Sequence, residues 1–172
     1  MKKAKKFALI VAIPVLLLVS SASIYYYIKR NGPYTLPAIT LEALDGPPVA
    51  LHSLLGKPSL VVFWASTCST CVSELPSLIK LYNEYSPRGL QVVGIVIYYN
   101  DPIAASAMVK NKAIPYPILL DRNKKATYAF GGVHLTPSSF LISPEGKILY
   151  RQTGETDFVK IRELLQKTLH RS

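Results

Sequence analysis

The sequence predicts an α/β domain built on a mixed central sheet, opened by a β-hairpin and preceded by one transmembrane helix. Three observations predict it. An uncharged apolar stretch, Phe7–Ile28, lies between basic clusters. Unbroken apolar runs then alternate with segments of helical periodicity, the pattern of parallel strands joined by crossover helices. Last, Ser138–Ile142 and Lys147–Arg151 flank Ser143-Pro144-Glu145-Gly146, an antiparallel hairpin that makes the sheet mixed.

The N-terminal element rests on where the charge lies. The 172 residues carry Lys+Arg 20 against Asp+Glu 10, a net +10 that invites a nucleic-acid reading. Lys2, Lys3, Lys5, Lys6, Lys29 and Arg30 stand in the first 30 residues with no acid, so only +4 belongs to the remainder. The short runs Lys110–Lys112 and Arg122–Lys125 read as solvated faces, and no nucleic-acid partner is expected. The 22 residues of Phe7–Ile28 span about 33 Å as a helix, enough for a hydrocarbon core of about 30 Å. The positive-inside rule keeps the N-terminus cytoplasmic and exports residue 31 onward. Tyr25, Tyr26 and Tyr27 suit the far headgroup layer, and Pro14 is tolerable in a membrane helix. The alternative is a cleaved signal peptide, because Ser21-Ala22-Ser23 follows the apolar run Phe7–Val19. Both readings export the domain. No cysteine follows the apolar run, which argues against a lipid anchor. The expected division is a basic segment 1–6, an anchor or signal peptide 7–28, a linker 29–34 and a domain 35–172.

At 49% hydrophobic and 17% charged, the chain has too much apolar content for intrinsic disorder. Nine glycines without period exclude a collagen-like chain, and two cysteines are too few for a disulfide scaffold. Leu36–Leu44 and Val49–Leu54, separated by Asp45-Gly46-Pro47-Pro48, predict the opening hairpin. Ser59–Trp64 is an unpunctuated apolar run, as a central parallel strand should be. Cys71, Leu75, Leu78, Ile79 and Tyr82 recur at helical spacing and predict a helix over Ser69–Tyr85, closed by Pro87 and Gly89 and bent at Pro76. Gln91–Tyr98 is a second buried strand. Asp101 or Asn100 caps a helix over Pro102–Lys112, with proline at its permitted first position. A short strand over Pro117–Asp121 and a short helix over Lys124–Phe130 precede the late hairpin. Phe158, Ile161, Leu164, Leu165 and Leu169 mark a closing amphipathic helix with Thr156 as its cap.

The chemistry lies in Cys68 and Cys71, in WASTCSTC, where a strand ends and a helix begins. On a first helical turn, residues i and i+3 have Cα atoms about 5 to 5.5 Å apart, within disulfide range. The first cysteine stands where free N–H groups and the helix dipole favour an anion and lower its thiol pKa. The second, one turn in and shielded, can resolve a mixed disulfide formed on the first. A purely structural bridge would close a four-residue loop worth about 2 kcal/mol, the weak end of the scale. Zinc needs four ligands, and His52, His134 and His170 are scattered singly, so no metal is expected. A peroxidatic cysteine expects threonine three residues before it, where Ala65 and Cys68 stand instead. Thr136-Pro137 precedes SSFLI, and a proline belongs at a strand start because it cannot donate to the ladder. A cis peptide there would bring the Thr136 backbone to the Cys68 sulfur, where an extended substrate could pair; the residues alone favour an ordinary trans bond. Glu74 follows Cys71 by one helical turn and could accept its proton if partly buried. The plain alternative is a solvated helix-face glutamate.

These residues resemble the TlpA/ResA-like family of membrane-anchored, thioredoxin-fold thiol–disulfide oxidoreductases of bacteria. The resemblance spans about 35–170 and rests on LHSLLGKPSLVVFWASTCSTC with SELP, on PILLDRNKKATYAFGGVHLTPSSFLI and on SPEGKILYRQTG. It implies a thioredoxin-like three-layer fold, Cys68 and Cys71 as the redox pair, Pro137 as a cis-proline and Glu74 as the active-site glutamate. The substrate-binding candidates are Thr136, Pro137 and Trp64, which ends the strand leading into the dithiol. The family's role implies reduction of protein disulfides outside the cytoplasm, apocytochrome c among them, with electrons from a membrane thiol donor of the DsbD/CcdA type. No cofactor is needed beyond the cysteines. Thr67 stands where many members have Trp, and Ser69-Thr70 where many carry Glu-Pro or another proline pair, which leaves the potential open. The rivals are an oxidase or isomerase of exported proteins, and a non-catalytic thioredoxin-fold assembly or binding module.

Overall fold

Strand β3 (Ser59–Trp64) is buried along its whole length because it has a neighbouring strand on each side and packed side chains over both faces. It pairs in parallel with β4 (Gln91–Val96) and antiparallel with β6 (Ser138–Ile142). The computed structural model describes residues 18–21, 23 and 35–169. Four further strands, β1 (Thr40–Ala43), β2 (Val49–Ala50), β5 (Ile118–Leu120) and β7 (Ile148–Thr153), extend the sheet, in the order β2-β1-β5-β4-β3-β6-β7. The helices are α1 (Ser69–Tyr85), α2 (Pro102–Asn111), α3 (Lys125–Ala129) and α4 (Phe158–Leu169).

Period-two alternation along β3 divides the core. Leu60, Val62 and Trp64 face a layer containing Leu78 and Leu81 of α1, Ala105 of α2 and Ile161 and Leu165 of α4. Val61 and Phe63 face the other side, with Leu51, Leu54, Ala126 and Phe130. Because β3, β4 and β5 succeed one another in one direction across the sheet, their right-handed crossovers put α1 and α2 on the same face. Phe63, Phe130 and Phe140 meet edge to face with centroids 4.9 to 5.8 Å apart. Each such pair contributes about 0.5–1.5 kcal/mol beyond its buried area, and together they fix β6 against β3.

The helix-bounded strands match their expected spans closely, with four differences. The second arm of the opening hairpin is β2 alone, and Leu51–Leu54 is a 3-10 turn. Leu51 and Leu54 are both buried while His52 and Ser53 are exposed, a three-residue spacing that suits a 3-10 turn and not a strand. Strand β4 ends at Val96, two residues early, and the Ile97 N–H bonds to the Trp64 carbonyl at 3.1 Å. The third difference is that α1 runs through Pro76 as one element of 17 residues. Finally, α4 is capped by Asp157, whose Oδ1 accepts from the Lys160 N–H at 2.9 Å, because Thr156 is buried and engaged elsewhere.

Residues 18–21 and 23 are helical and exposed, and Ser21 Oγ donates to the Leu18 carbonyl at 3.0 Å. The rest of the expected 7–28 anchor lies outside the described residues, among which no helix is long and apolar enough to cross a membrane.

Candidate active site

The site begins where β3 runs out. After Trp64 the chain turns, and the Cys68 N–H returns to the Ala65 carbonyl at 3.2 Å. The turn is held from outside by Asn100, whose Oδ1 accepts from both the Ser66 N–H and the Ser66 hydroxyl at 2.9 Å. Cys68 is then the N-cap of α1, with extended backbone (φ −86°, ψ 106°). Its Sγ accepts the Cys71 N–H at 3.1 Å, the bond a capping oxygen would ordinarily make. An N–H aimed at the sulfur, with the positive end of a 17-residue helix behind it, is an arrangement that stabilises a thiolate.

Cys68 and Cys71 are joined as a disulfide, with Cα atoms 5.2 Å apart. Their environments differ. Cys68 is partly exposed, whereas Cys71 is 3% exposed beneath it. An incoming sulfur therefore reaches Cys68 first.

The Thr136–Pro137 peptide is cis, and the Thr136 carbonyl oxygen lies 3.4 Å from Cys68 Sγ. Pro137 is buried and Thr136 half-buried at the rim. Beside them the hydroxyls of Tyr99 and Thr136 lie 3.3 Å apart, and Tyr99 remains half exposed. Tyr99 and Asn100 escape a sequence reading because their partners, Thr136 and Ser66, lie 37 and 34 positions away; only their position just after a buried strand could have pointed to them.

Glu74 is 6% exposed, which excludes the solvated helix-face alternative. Its carboxylate is gripped by one residue 82 positions away: Thr156 donates its N–H to Oε1 at 2.5 Å and its hydroxyl to Oε2 at 2.9 Å. The Ser139 hydroxyl lies 2.9 Å from the Thr156 hydroxyl. Glu74 also lines a cavity of about 10 Å³ together with Trp64, Cys71, Gly94, Tyr116 and Pro137. Burial pushes the Tyr116 phenol well above the usual tyrosine range, so it serves there as a neutral hydroxyl. Tyr150 is also raised by burial, and its hydroxyl accepts the Asp157 N–H at 3.1 Å.

Trp64 is 4% exposed and packs behind the dithiol, so as a substrate-binding candidate it has no surface to offer. The structure thus brings Cys68 and Thr136 together at the rim, with Cys71, Pro137, Glu74 and Trp64 buried beneath them.

A model of the Redoxin family matches residues 33–165. The thiol–disulfide oxidoreductase ResA of Bacillus thuringiensis subsp. konkukian is 28% identical over 131 residues, covering 76% of this chain and 75% of its own. ResA of Bacillus subtilis is 30% identical over 118 residues, covering 69% of this chain and 65% of its own. A thiol:disulfide interchange protein of the thioredoxin family from Chlorobium tepidum superposes with a TM-score of 0.71 at 26% identity, over 80% of this chain and 97% of its own. The architecture is accordingly a thioredoxin-like α/β fold with a mixed sheet.

Proposed function

The chain belongs to the Redoxin family, and from that premise we propose that it is a reductant of protein disulfides, tethered to a bacterial cytoplasmic membrane and acting on its outer side. Its chemistry is that of a thiol–disulfide oxidoreductase. The observation that carries the reading is the asymmetry of the pair: Cys68 partly exposed at a helix N-cap, Cys71 buried one turn in.

In the forward direction the Cys68 thiolate attacks one sulfur of a substrate disulfide, forming a mixed disulfide and releasing the other sulfur as a thiolate, which takes a proton. The Cys71 sulfur then attacks Cys68, expelling the second substrate thiol and leaving the Cys68–Cys71 disulfide. Two electrons pass from the chain to the substrate. Glu74, lining the cavity that Cys71 lines, takes the Cys71 proton. Thr136 and Pro137 offer backbone beside Cys68 against which an extended substrate strand lies. An external dithiol, supplied by a membrane thiol donor of the DsbD/CcdA type, reduces the disulfide again. Apocytochrome c is the substrate the ResA likeness suggests. The six basic residues flanking Phe7–Ile28 support the outward placement.

A Cys71→Ser variant tests the roles: it accumulates a mixed disulfide through Cys68, whose partner mass spectrometry identifies. If no adduct forms on Cys68, the assignment fails. Direction is read from the reduction potential, about −270 mV for a thioredoxin-like reductant and about −120 mV for a DsbA-like oxidant. An insulin-reduction assay silent in both wild type and Cys68→Ser would favour a binding module.

A further inference from the structure

Trp64 is the one tryptophan of the chain. Its indole Nε1 is a buried N–H with no hydrogen-bond partner, and among the described residues it is the one buried side-chain polar atom of that kind. A donor left in that condition is costly, so a fold that keeps one invites the question of when it is satisfied. The surroundings narrow the answer. Trp64 shares its small cavity with Cys71, Glu74, Gly94, Tyr116 and Pro137. Both Glu74 oxygens accept from Thr156, and neither is bonded to the indole. Gly94 keeps the N–H clear: a Cβ there would stand 3.1 Å from Nε1 and 2.5 Å from Ile118 Cδ1. At about 10 Å³ the space is at the lower bound for a single water. Two groups on that wall change in the reaction cycle, the Glu74 carboxylate and the Cys71 sulfur; both Glu74 oxygens are already held by Thr156, which leaves the sulfur. In the disulfide its position is fixed by the bond to Cys68; once that bond opens, the sulfur is free to reorient within the cavity and to accept, most strongly after its proton has left.

We propose that Trp64 is a redox-dependent donor, its Nε1–H unpaired while Cys68 and Cys71 are bridged and hydrogen-bonded to the Cys71 sulfur once they are reduced. Trp64 is thus a positioning residue that biases the pair toward the dithiol, and the inference rests on Cys68 and Cys71 being the redox pair. The step balances without it: an external dithiol gives two electrons and two protons to the bridge, becomes a disulfide, and the indole keeps its own proton throughout. The bond orients the Cys71 sulfur and holds it as the acceptor side of the pair until Cys68 must be resolved.

Two measurements on the full-length chain in detergent decide it. The single indole Nε1–H resonance of wild type moves downfield and exchanges more slowly on reduction, and the same reductant leaves it in place in Cys71→Ala. A resonance indifferent to reduction in wild type, or one that moves equally in Cys71→Ala, overturns the proposal and points to a redox-independent partner such as a water. In Trp64→Phe, which keeps a ring and removes the N–H, the equilibrium with glutathione shifts about tenfold toward the disulfide, about 30 mV more negative. An unchanged equilibrium in a variant whose unfolding midpoint matches wild type equally overturns it. Should Trp64→Phe not fold, the wild-type resonance decides alone. Insulin reduction run in parallel separates this failure from that of the functional reading, since the indole test needs only a bridge that opens and closes.

Discussion

Two buried carboxylates, Asp121 and Glu74, differ in how fully they are bonded and in what their open side faces. Asp121 is 1% exposed and receives three donors from α3. The Ala126 N–H reaches Oδ1 at 2.8 Å, and the Thr127 N–H and hydroxyl reach Oδ2 at 2.9 and 2.6 Å. It ties β5 to the start of a five-residue helix that could not stand alone. Glu74 is nearly as buried but receives two donors, both from Thr156, and faces a cavity shared with a reactive sulfur. A carboxylate has about four acceptor sites, so Glu74 retains acceptor capacity beside the cavity it shares with Cys71. The difference teaches that burial alone does not tell the two carboxylates apart; what the unfilled side faces does, and only Glu74 faces the dithiol.

The comparison is broken most severely at Asp121. Asp121→Ala strips three buried donors of their acceptor and is expected to cost about 3 kcal/mol or more, read as a lower urea midpoint at constant m-value. The folded fraction should retain wild-type exchange kinetics; a selective loss of turnover would place Asp121 in the site. Next is Glu74→Gln, expected to slow the resolution step about a hundredfold while unfolding within about 1–2 kcal/mol of wild type. Stopped-flow decay of the mixed disulfide measures this, and an unaltered rate removes Glu74 from the mechanism. Thr156→Val keeps the N–H bond to Glu74 and deletes the hydroxyl, so a loss of about 1 kcal/mol and a smaller kinetic defect than Glu74→Gln are expected. A defect equal to that of Glu74→Gln would mean the hydroxyl alone fixes the carboxylate. The smallest effect belongs to Glu84, a half-exposed carboxylate paired with Arg162 across α1 and α4. Arg162→Met, which keeps apolar cover over Tyr85, should move stability by no more than about 0.5 kcal/mol in 0.15 M salt, as surface pairs do.

Legibility followed sequence distance. Ser59–Trp64 and Ser69–Tyr85 could be delimited to the residue because an unbroken apolar run and a 3.6-residue periodicity are local properties. The Cys68–Cys71 geometry is equally local, since three residues on a first helical turn fix the Cα separation whatever surrounds them. Where local signals competed, reading was weaker: Val49–Leu54 is apolar enough for a strand, yet the spacing of Leu51 and Leu54 folds it into a turn. Thr156 has the chemistry of a helix cap, and its neighbour Asp157 takes that place because Thr156 is drawn to Glu74.

By itself, then, the sequence determined a strand-to-helix dithiol in an α/β chain with a charge-flanked apolar segment near its N-terminus, because periodicity, capping and charge placement act over a few residues. The tertiary structure decided what surrounds the sulfurs. Thr136 reaches Cys68 across 68 positions, Thr156 reaches Glu74 across 82, and the Trp64 indole turns inward to share a cavity with Cys71. Those contacts depend on which strands become neighbours and in what register, and a one-residue slip of β6 would turn its side chains to the opposite face.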